Sequence, residues 1–274
     1  VAPEITAKTA LCGIVLHSAG HTRSPLMHNA AYGAMGIDAA YLAFDVAPDA
    51  LGAAIAGIRA LGLAQVAVSI PHKQAVMAYL DEIDDRAQTI GAVNTVTLRD
   101  GRLLGSNTDW IGSNRALETE TELAGKRAVV LGAGGAARAV VYGLIEAGAT
   151  VHVLNRTVER AESLAKDLSA QGAGVLDDLA KLPHDILINT TSVGSRSRET
   201  PVSAEQLRAD SVVMDIVYDP EETRLLEDAR KCGAVPIAGK WMLVYQAAEQ
   251  LRIWTGRDAP IDVLEKAFSS TPGN

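Results

Sequence analysis

Ala128-Val129-Val130-Leu131-Gly132-Ala133-Gly134-Gly135-Ala136-Ala137 is the stretch whose reading decides the fold. The leading apolar run reads as a buried strand, and the residues after it open an apolar helix that runs to Ala147. A G-x-G-x-x-A pattern placed between strand and helix is what a dinucleotide-binding turn needs. Gly132 permits the tight turn, Gly134 lets the backbone approach a pyrophosphate, and Ala137 keeps the helix close to the sheet. The helix N-terminus adds amide donors and a positive partial charge. Further strands are read at residues 150–154, 185–189, 212–217 and 235–238, with helices between them. Together they define a Rossmann domain over residues 109–244.

The residue after the second strand of such a domain selects the cofactor. An NAD site places Asp or Glu there to hold the ribose 2′-hydroxyl. This chain has Asn155-Arg156-Thr157, with Arg160 one helical turn later. Two guanidinium groups can clamp a 2′-phosphate, and the Asn and Thr side chains can add hydrogen bonds. NADP(H) is therefore the expected cofactor.

The segment ahead of the fingerprint is long enough to be a second α/β domain, residues 1–108, joined by C-terminal helices over 245–274 that return to it. Strands at 11–15, 40–46 and 65–69 alternate with helices starting at Pro25, Pro48 and Pro71, which predicts a mostly parallel sheet. The helix from Pro71 is read as extending to residue 80, with Lys73 in its first turn. A cation there is electrostatically unfavourable and so hints at function. Asp100-Gly101 is a two-residue hairpin turn between strands at 93–98 and 103–107, so cross-strand partners sum to 201. That register brings Asn94-Thr95 beside Asn107-Thr108-Asp109. From residue 241 a helix carries Met242, Gln246 and Gln250 on one face.

Bulk properties exclude several classes. A net charge of −8 argues against a nucleic-acid partner, and 48% hydrophobic content argues for packed cores. Cys12 and Cys232 form no C-x-x-C pair, so neither a disulfide framework nor a metal site is expected. No apolar run approaches the roughly 18 residues of a membrane span. Residues 1–11 lack a basic stretch followed by an apolar one, so no signal peptide is read and a cytoplasmic protein is expected. His28 and His72 read as hydrogen-bonded packing residues.

The polar clusters resemble those of the shikimate dehydrogenase family, whose members reduce 3-dehydroshikimate with NADPH. The matching motifs are Arg23–Asn29 (R-S-P-L-M-H-N), Ile70–Lys73 (I-P-H-K), Gly91–Thr95 (G-A-V-N-T), Asn107–Asp109 (N-T-D) and Gly132–Ala136 (G-A-G-G-A). They continue with Asn155–Thr157 (N-R-T), Asp215–Pro220 (D-I-V-Y-D-P) and Met242–Ala247 (M-L-V-Y-Q-A), covering nearly the whole chain in order. The resemblance implies Lys73 and Asp109 as the catalytic pair. It implies Thr22, Ser24, Ser69, Asn94, Tyr218 and Gln246 as substrate ligands. Gly132, Ala133, Gly134, Gly135, Ala136, Asn155, Arg156, Thr157, Arg160 and Gly239 are the implied cofactor ligands, with no metal. Members usually carry Ser-x-Ser-Pro and Val-Thr-x-Pro-His-Lys, where this chain has Thr22-Arg23-Ser24-Pro25 and Val68-Ser69-Ile70-Pro71-His72-Lys73. Both departures keep a hydroxyl, so binding of shikimate or 3-dehydroshikimate by a monomer or homodimer is expected. A quinate/shikimate dehydrogenase of broader range and a non-catalytic NADP(H)-binding sensor on the same fold are the alternatives; a sensor would have no need to keep Lys73, Asp109, Asn94 and Gln246 together.

Overall fold

The computed structural model describes residues 5–270, so the outermost residues of the segments read above for a leader and for returning helices lie outside it. The chain divides into two compact units, residues 1–108 with 246–274 and residues 109–245.

In the first unit the strands are β1 (Ala10–Leu16), β2 (Ala39–Asp45), β3 (Gln65–Val68), β4 (Glu82–Ile83), β5 (Thr95–Arg99) and β6 (Arg102–Ser106). They lie in the order β2-β1-β3-β5-β6-β4. β1 is parallel to β2 and β3, and β4 is parallel to β6, whereas β5 is antiparallel to both of its neighbours. The helices are α1 (Ser24–Met35), α2 (Leu51–Leu61) and α3 (Asp85–Ile90). Pro25 sits in the first turn of α1, where its missing N–H costs nothing, and Gly36 ends that helix at φ +64°. Leu51, Ile55 and Ile58 fall on one face of α2 and pack with Val66 and Val68 of β3. Each such side chain contributes roughly 1.5–3 kcal/mol on burial.

Asp100 and Gly101 both adopt positive φ, 51° and 76°, the pair a type I′ turn demands. The resulting register pairs Thr95 with Ser106 and Arg99 with Arg102, as the sum rule requires. Because β5 runs against β3, its first residue lies at the C-terminal end of β3. There the Val68 N–H donates to the Asn94 carbonyl at 2.8 Å.

The second unit contains β7 (Arg127–Leu131), β8 (Thr150–Leu154), β9 (Gly172–Gly174), β10 (Ile186–Asn189), β11 (Val212–Asp215) and β12 (Val235–Ala238). Every adjacent pair is parallel, in the order β12-β11-β10-β7-β8-β9. This is the doubly wound order of a dinucleotide-binding sheet, with its switch point between β7 and β10. Its helices are α4 (Asp109–Glu118), α5 (Gly135–Glu146), α6 (Val158–Leu168) and α7 (Arg224–Cys232). Ala137, Ala139 and Val140 of α5 are fully buried. Their small volume lets the helix lie close to the strands. α8 (Gly239–Thr255) starts in this unit and ends in the first, where α9 (Ile261–Ser269) follows.

His28 of α1 is completely buried, stacked on Tyr41 at 4.1 Å, with Nδ1 3.0 Å from the Ser24 carbonyl. Burial pushes its pKa down to about 4. A histidine held neutral in the fold but free to protonate when unfolded stabilises fully above the unfolded pKa of about 6.5. That contribution is lost as pH falls toward 4, on the order of 3 kcal/mol in all. Thermal midpoints measured across this range should drop more steeply for the wild type than for His28→Gln; equal slopes would contradict the assignment.

Candidate functional site

In the first unit the polar residues gather where β3 ends and β5 begins. His72 is buried, with Nε2 2.8 Å from the Val46 carbonyl, so it packs rather than faces a ligand. The helix read from Pro71 to residue 80 does not form. Ile70-Pro71 is a cis peptide, and the His72 N–H turns back to the Ser69 carbonyl at 2.8 Å, closing a tight turn. Only a short 3-10 turn, Ala75–Tyr79, follows. The Lys73 carbonyl, which a helix would use internally, accepts the Val93 N–H at 2.7 Å. Lys73 is therefore a half-buried turn residue and not part of a helix N-terminus, so no helix dipole acts on it. Its backbone is instead hydrogen-bonded to Val93, the residue preceding Asn94.

Asn94 is the centre of this cluster. Its Oδ1 accepts the Thr108 N–H at 2.8 Å, and its Nδ2 donates to Thr108 Oγ1 at 3.0 Å and to Gln246 Oε1 at 3.4 Å. Ser69, Lys73, Asn94 and Gln246 are thus brought together within one unit. Thr22 and Ser24 lie beyond β1, the neighbour of β3, and share hydroxyl hydrogen bonds of 3.3 Å. The Ser69 N–H donates to the Val15 carbonyl at 2.9 Å, tying the ends of β1 and β3. Asp109 and Tyr218 belong to the second unit. Asp109 is buried and opens α4, where a carboxylate complements the helix dipole.

The glycine turn follows β7 as its motif requires. Gly132 has φ +115°, and a Cβ there would meet Thr190 Oγ1 at 2.6 Å. Thr190 cannot retreat freely, because its Oγ1 donates to the Leu131 carbonyl at 2.7 Å. A Cβ at Gly134 would meet nothing within 4 Å beyond its chain neighbours, so a ligand can approach its backbone directly. Ala133, Gly135 and Ala136 are half-buried around the start of α5. Asn155, at the end of β8, folds its Nδ2 onto the Thr157 carbonyl at 2.9 Å, and Thr157 precedes α6. Arg156 and Arg160 are exposed, and neither forms an ion pair among the described residues. A helix N-terminus beside open glycine backbone, and two uncommitted guanidinium groups at the next strand, fit the pyrophosphate and 2′-phosphate of NADP. Gly239 follows β12; a Cβ there would lie 2.5 Å from the Ile216 carbonyl oxygen, so its position is enforced by backbone contact.

A network in this unit links residues far apart in sequence. The buried Asp215 accepts from Asn189 Nδ2 at 2.9 Å, Val217 N–H at 3.0 Å and Thr223 Oγ1 at 2.7 Å. Burial raises its pKa to about 6, against the pull of those donors. Asn189 in turn accepts from the Thr191 N–H and hydroxyl at 3.0 and 2.7 Å. The loops after β10 and β11 are therefore fixed to each other. No helix among the described residues is long and apolar enough to cross a membrane.

These features define an α/β protein with one polar substrate-type unit and one NADP-type Rossmann unit, the organisation of a two-domain dehydrogenase. The family model described as shikimate dehydrogenase substrate binding domain matches residues 14–96. Those for shikimate / quinate 5-dehydrogenase and the shikimate 5′-dehydrogenase C-terminal domain match residues 114–216 and 239–267. The shikimate dehydrogenase (NADP(+)) of Thermococcus kodakarensis is 48% identical over 91% of this chain and 92% of its own. A crystal structure of a shikimate dehydrogenase in complex with NADP+ superposes with a TM-score of 0.94 at 44% identity, covering 98% of this chain and 97% of that one. The Thermus thermophilus enzyme in complex with NADP(H) and shikimate gives 0.89 at 36%, covering 95% and 98%. The chain belongs to the shikimate dehydrogenase family.

The two glycines should separate experimentally. Gly132→Ala should lower stability by about 1–3 kcal/mol, from its positive φ and the Thr190 contact. Gly134→Ala should leave the thermal midpoint near wild type while weakening NADPH, read by fluorescence titration, by about tenfold or more. Unaltered NADPH affinity in Gly134→Ala would contradict the open approach to its backbone.

Proposed function

We propose that the protein catalyses the reversible, NADP-dependent reduction of 3-dehydroshikimate to shikimate. The observation that carries this is the coincidence, in one chain of this family, of the Ser69–Lys73–Asn94–Gln246 cluster and a glycine turn followed by two uncommitted arginines. In this reading Thr22, Ser24, Ser69, Asn94, Gln246 and Tyr218 hold the substrate's carboxylate and hydroxyls. Gly132, Ala133, Gly134, Gly135 and Ala136 take the pyrophosphate, with Gly239 also lining the cofactor. Asn155, Arg156, Thr157 and Arg160 take the 2′-phosphate. A cytoplasmic location is part of the same reading, supported by the biosynthetic character of the reaction and by two free cysteines, Cys12 and Cys232.

NADPH, when bound, supplies the hydride that reduces the ring ketone. Lys73 is assigned the proton. Its ammonium donates a hydrogen bond to the ketone oxygen, stabilises the negative charge developing there, and transfers the proton as the C–H bond forms. The amine left behind recovers a proton from water. In the oxidative direction the neutral amine accepts the hydroxyl proton. The Asp109 carboxylate accepts a hydrogen bond from a substrate hydroxyl and fixes the ring's orientation.

Lys73→Ala should lower kcat by roughly 10²–10⁴ while the dissociation constant for NADP+ stays within about twofold. Near-normal turnover in this variant would remove Lys73 from the chemistry.

A further inference from the structure

The hydrogen bonds around Asn94 have a direction, and that direction is imposed from behind the cluster. The Thr108 N–H can only donate, so the atom of Asn94 that faces it at 2.8 Å must be Oδ1. The Asn94 backbone carbonyl can only accept, so the atom of Gln250 that faces it at 3.3 Å must be Nε2. The same Nε2 donates to Thr95 Oγ1 at 3.0 Å. With a donor already on it, the Thr95 hydroxyl turns its own proton to Asn94 Oδ1, at 2.8 Å. Gln250 is held in turn: Gln65 Nε2 donates to its carbonyl at 2.9 Å and to Thr97 Oγ1 at 3.4 Å. Gln65, Asn94, Thr95, Gln250 and Gln246 are all buried, so no bulk water competes for these groups.

We infer that Thr95 and Gln250 are positioning residues that set the polarity of the substrate-facing amides. With Oδ1 of Asn94 committed to Thr108 and Thr95, its Nδ2 points to Gln246 Oε1. That acceptance orients the Gln246 amide with Nε2 as its other end. With Asn94 Nδ2 donating to Thr108 Oγ1 and Gln246 Oε1, this polarity reaches the substrate through the Gln246 amide, whose Nε2 can donate to an oxygen acceptor. Reversing Asn94 would set its Oδ1 against Gln246 Oε1, and reversing Gln246 would set its Nε2 against Asn94 Nδ2 and turn an acceptor toward the same ligand. The relay accounts for the burial of Gln65, Gln250, Thr95 and Thr97 behind the site. It rests on the substrate reading of Asn94 and Gln246 given above.

The test compares steady-state kinetics with shikimate and NADP+ for Thr95→Val, Thr95→Ser and Asn94→Ala. Valine keeps the volume and β-branch but removes the hydroxyl. It should raise the KM for shikimate about tenfold, with kcat and the KM for NADP+ within about twofold. Thr95→Ser should restore wild-type values. If Thr95→Val does not fold, Gln250→Glu serves instead: a carboxylate cannot donate to the Asn94 carbonyl, and the same selective rise in shikimate KM is expected. A wild-type shikimate KM in Thr95→Val, with that of Asn94→Ala raised, would overturn the positioning role and leave the substrate reading standing. A parallel loss of both KM values and of thermal stability, unrescued by serine, would make the residue merely structural and overturn it too. An unchanged shikimate KM in Asn94→Ala would overturn the substrate reading itself, and the inference with it.

Discussion

Parallel pairing is the constraint from which the rest of the molecule follows. Two parallel neighbours cannot be joined by a tight turn, so each strand needs a crossover, and the loops that leave the strands emerge at one edge of the sheet. In the second unit that edge collects the Gly132 turn after β7, Asn155–Thr157 after β8, Thr190 and Thr191 after β10, Ile216–Tyr218 after β11 and Gly239 after β12. Chemistry needs its groups close in space, and the topology supplies that closeness without closeness in sequence.

The first unit obeys the same rule and then breaks it once. β1 and β3 deliver the Thr22–Ser24 loop and Ser69 to their C-terminal edge. The hairpin runs the other way, with β5 antiparallel to β3. Its open end, carrying Asn94 and Thr108, therefore meets the outgoing end of β3. An additional parallel strand in this place would have sent Asn94 to the far edge, away from Ser69 and Lys73. A two-residue turn of left-handed backbone at Asp100 and Gly101 thus places the amide that organises the cluster.

Much of this was legible from residue types. The strand–glycine–helix pattern at Gly132 and the hairpin register follow from local rules that the packed structure obeys. The turn at Ile70-Pro71 was not legible, because proline is equally compatible with opening a helix, and the bonds that hold Lys73 come from Val93. β9 consists of Gly172–Gly174 and has no strand-favouring side chain; it pairs with the edge that β8 offers. β4 is two residues long and below any periodicity signal. The partners of buried polar groups were equally hidden. Gln65 and Gln250 are 185 residues apart, and Asn189 and Asp215 are 26 apart, so neither sequence segment announces the other.

On the function proposed above, this chain couples a Rossmann unit that takes NADP to a polar cluster that takes shikimate. The most direct measurement is NADPH formation, followed by its absorbance, when the protein is given NADP+ or NAD+ with shikimate or with quinate. Turnover of shikimate with NADP+ is expected, with kcat/KM exceeding that with NAD+ by roughly tenfold or more. Absence of turnover with every pairing would contradict the enzyme and favour a binding protein, and equal turnover with NAD+ would contradict the reading of Arg156 and Arg160 as 2′-phosphate ligands.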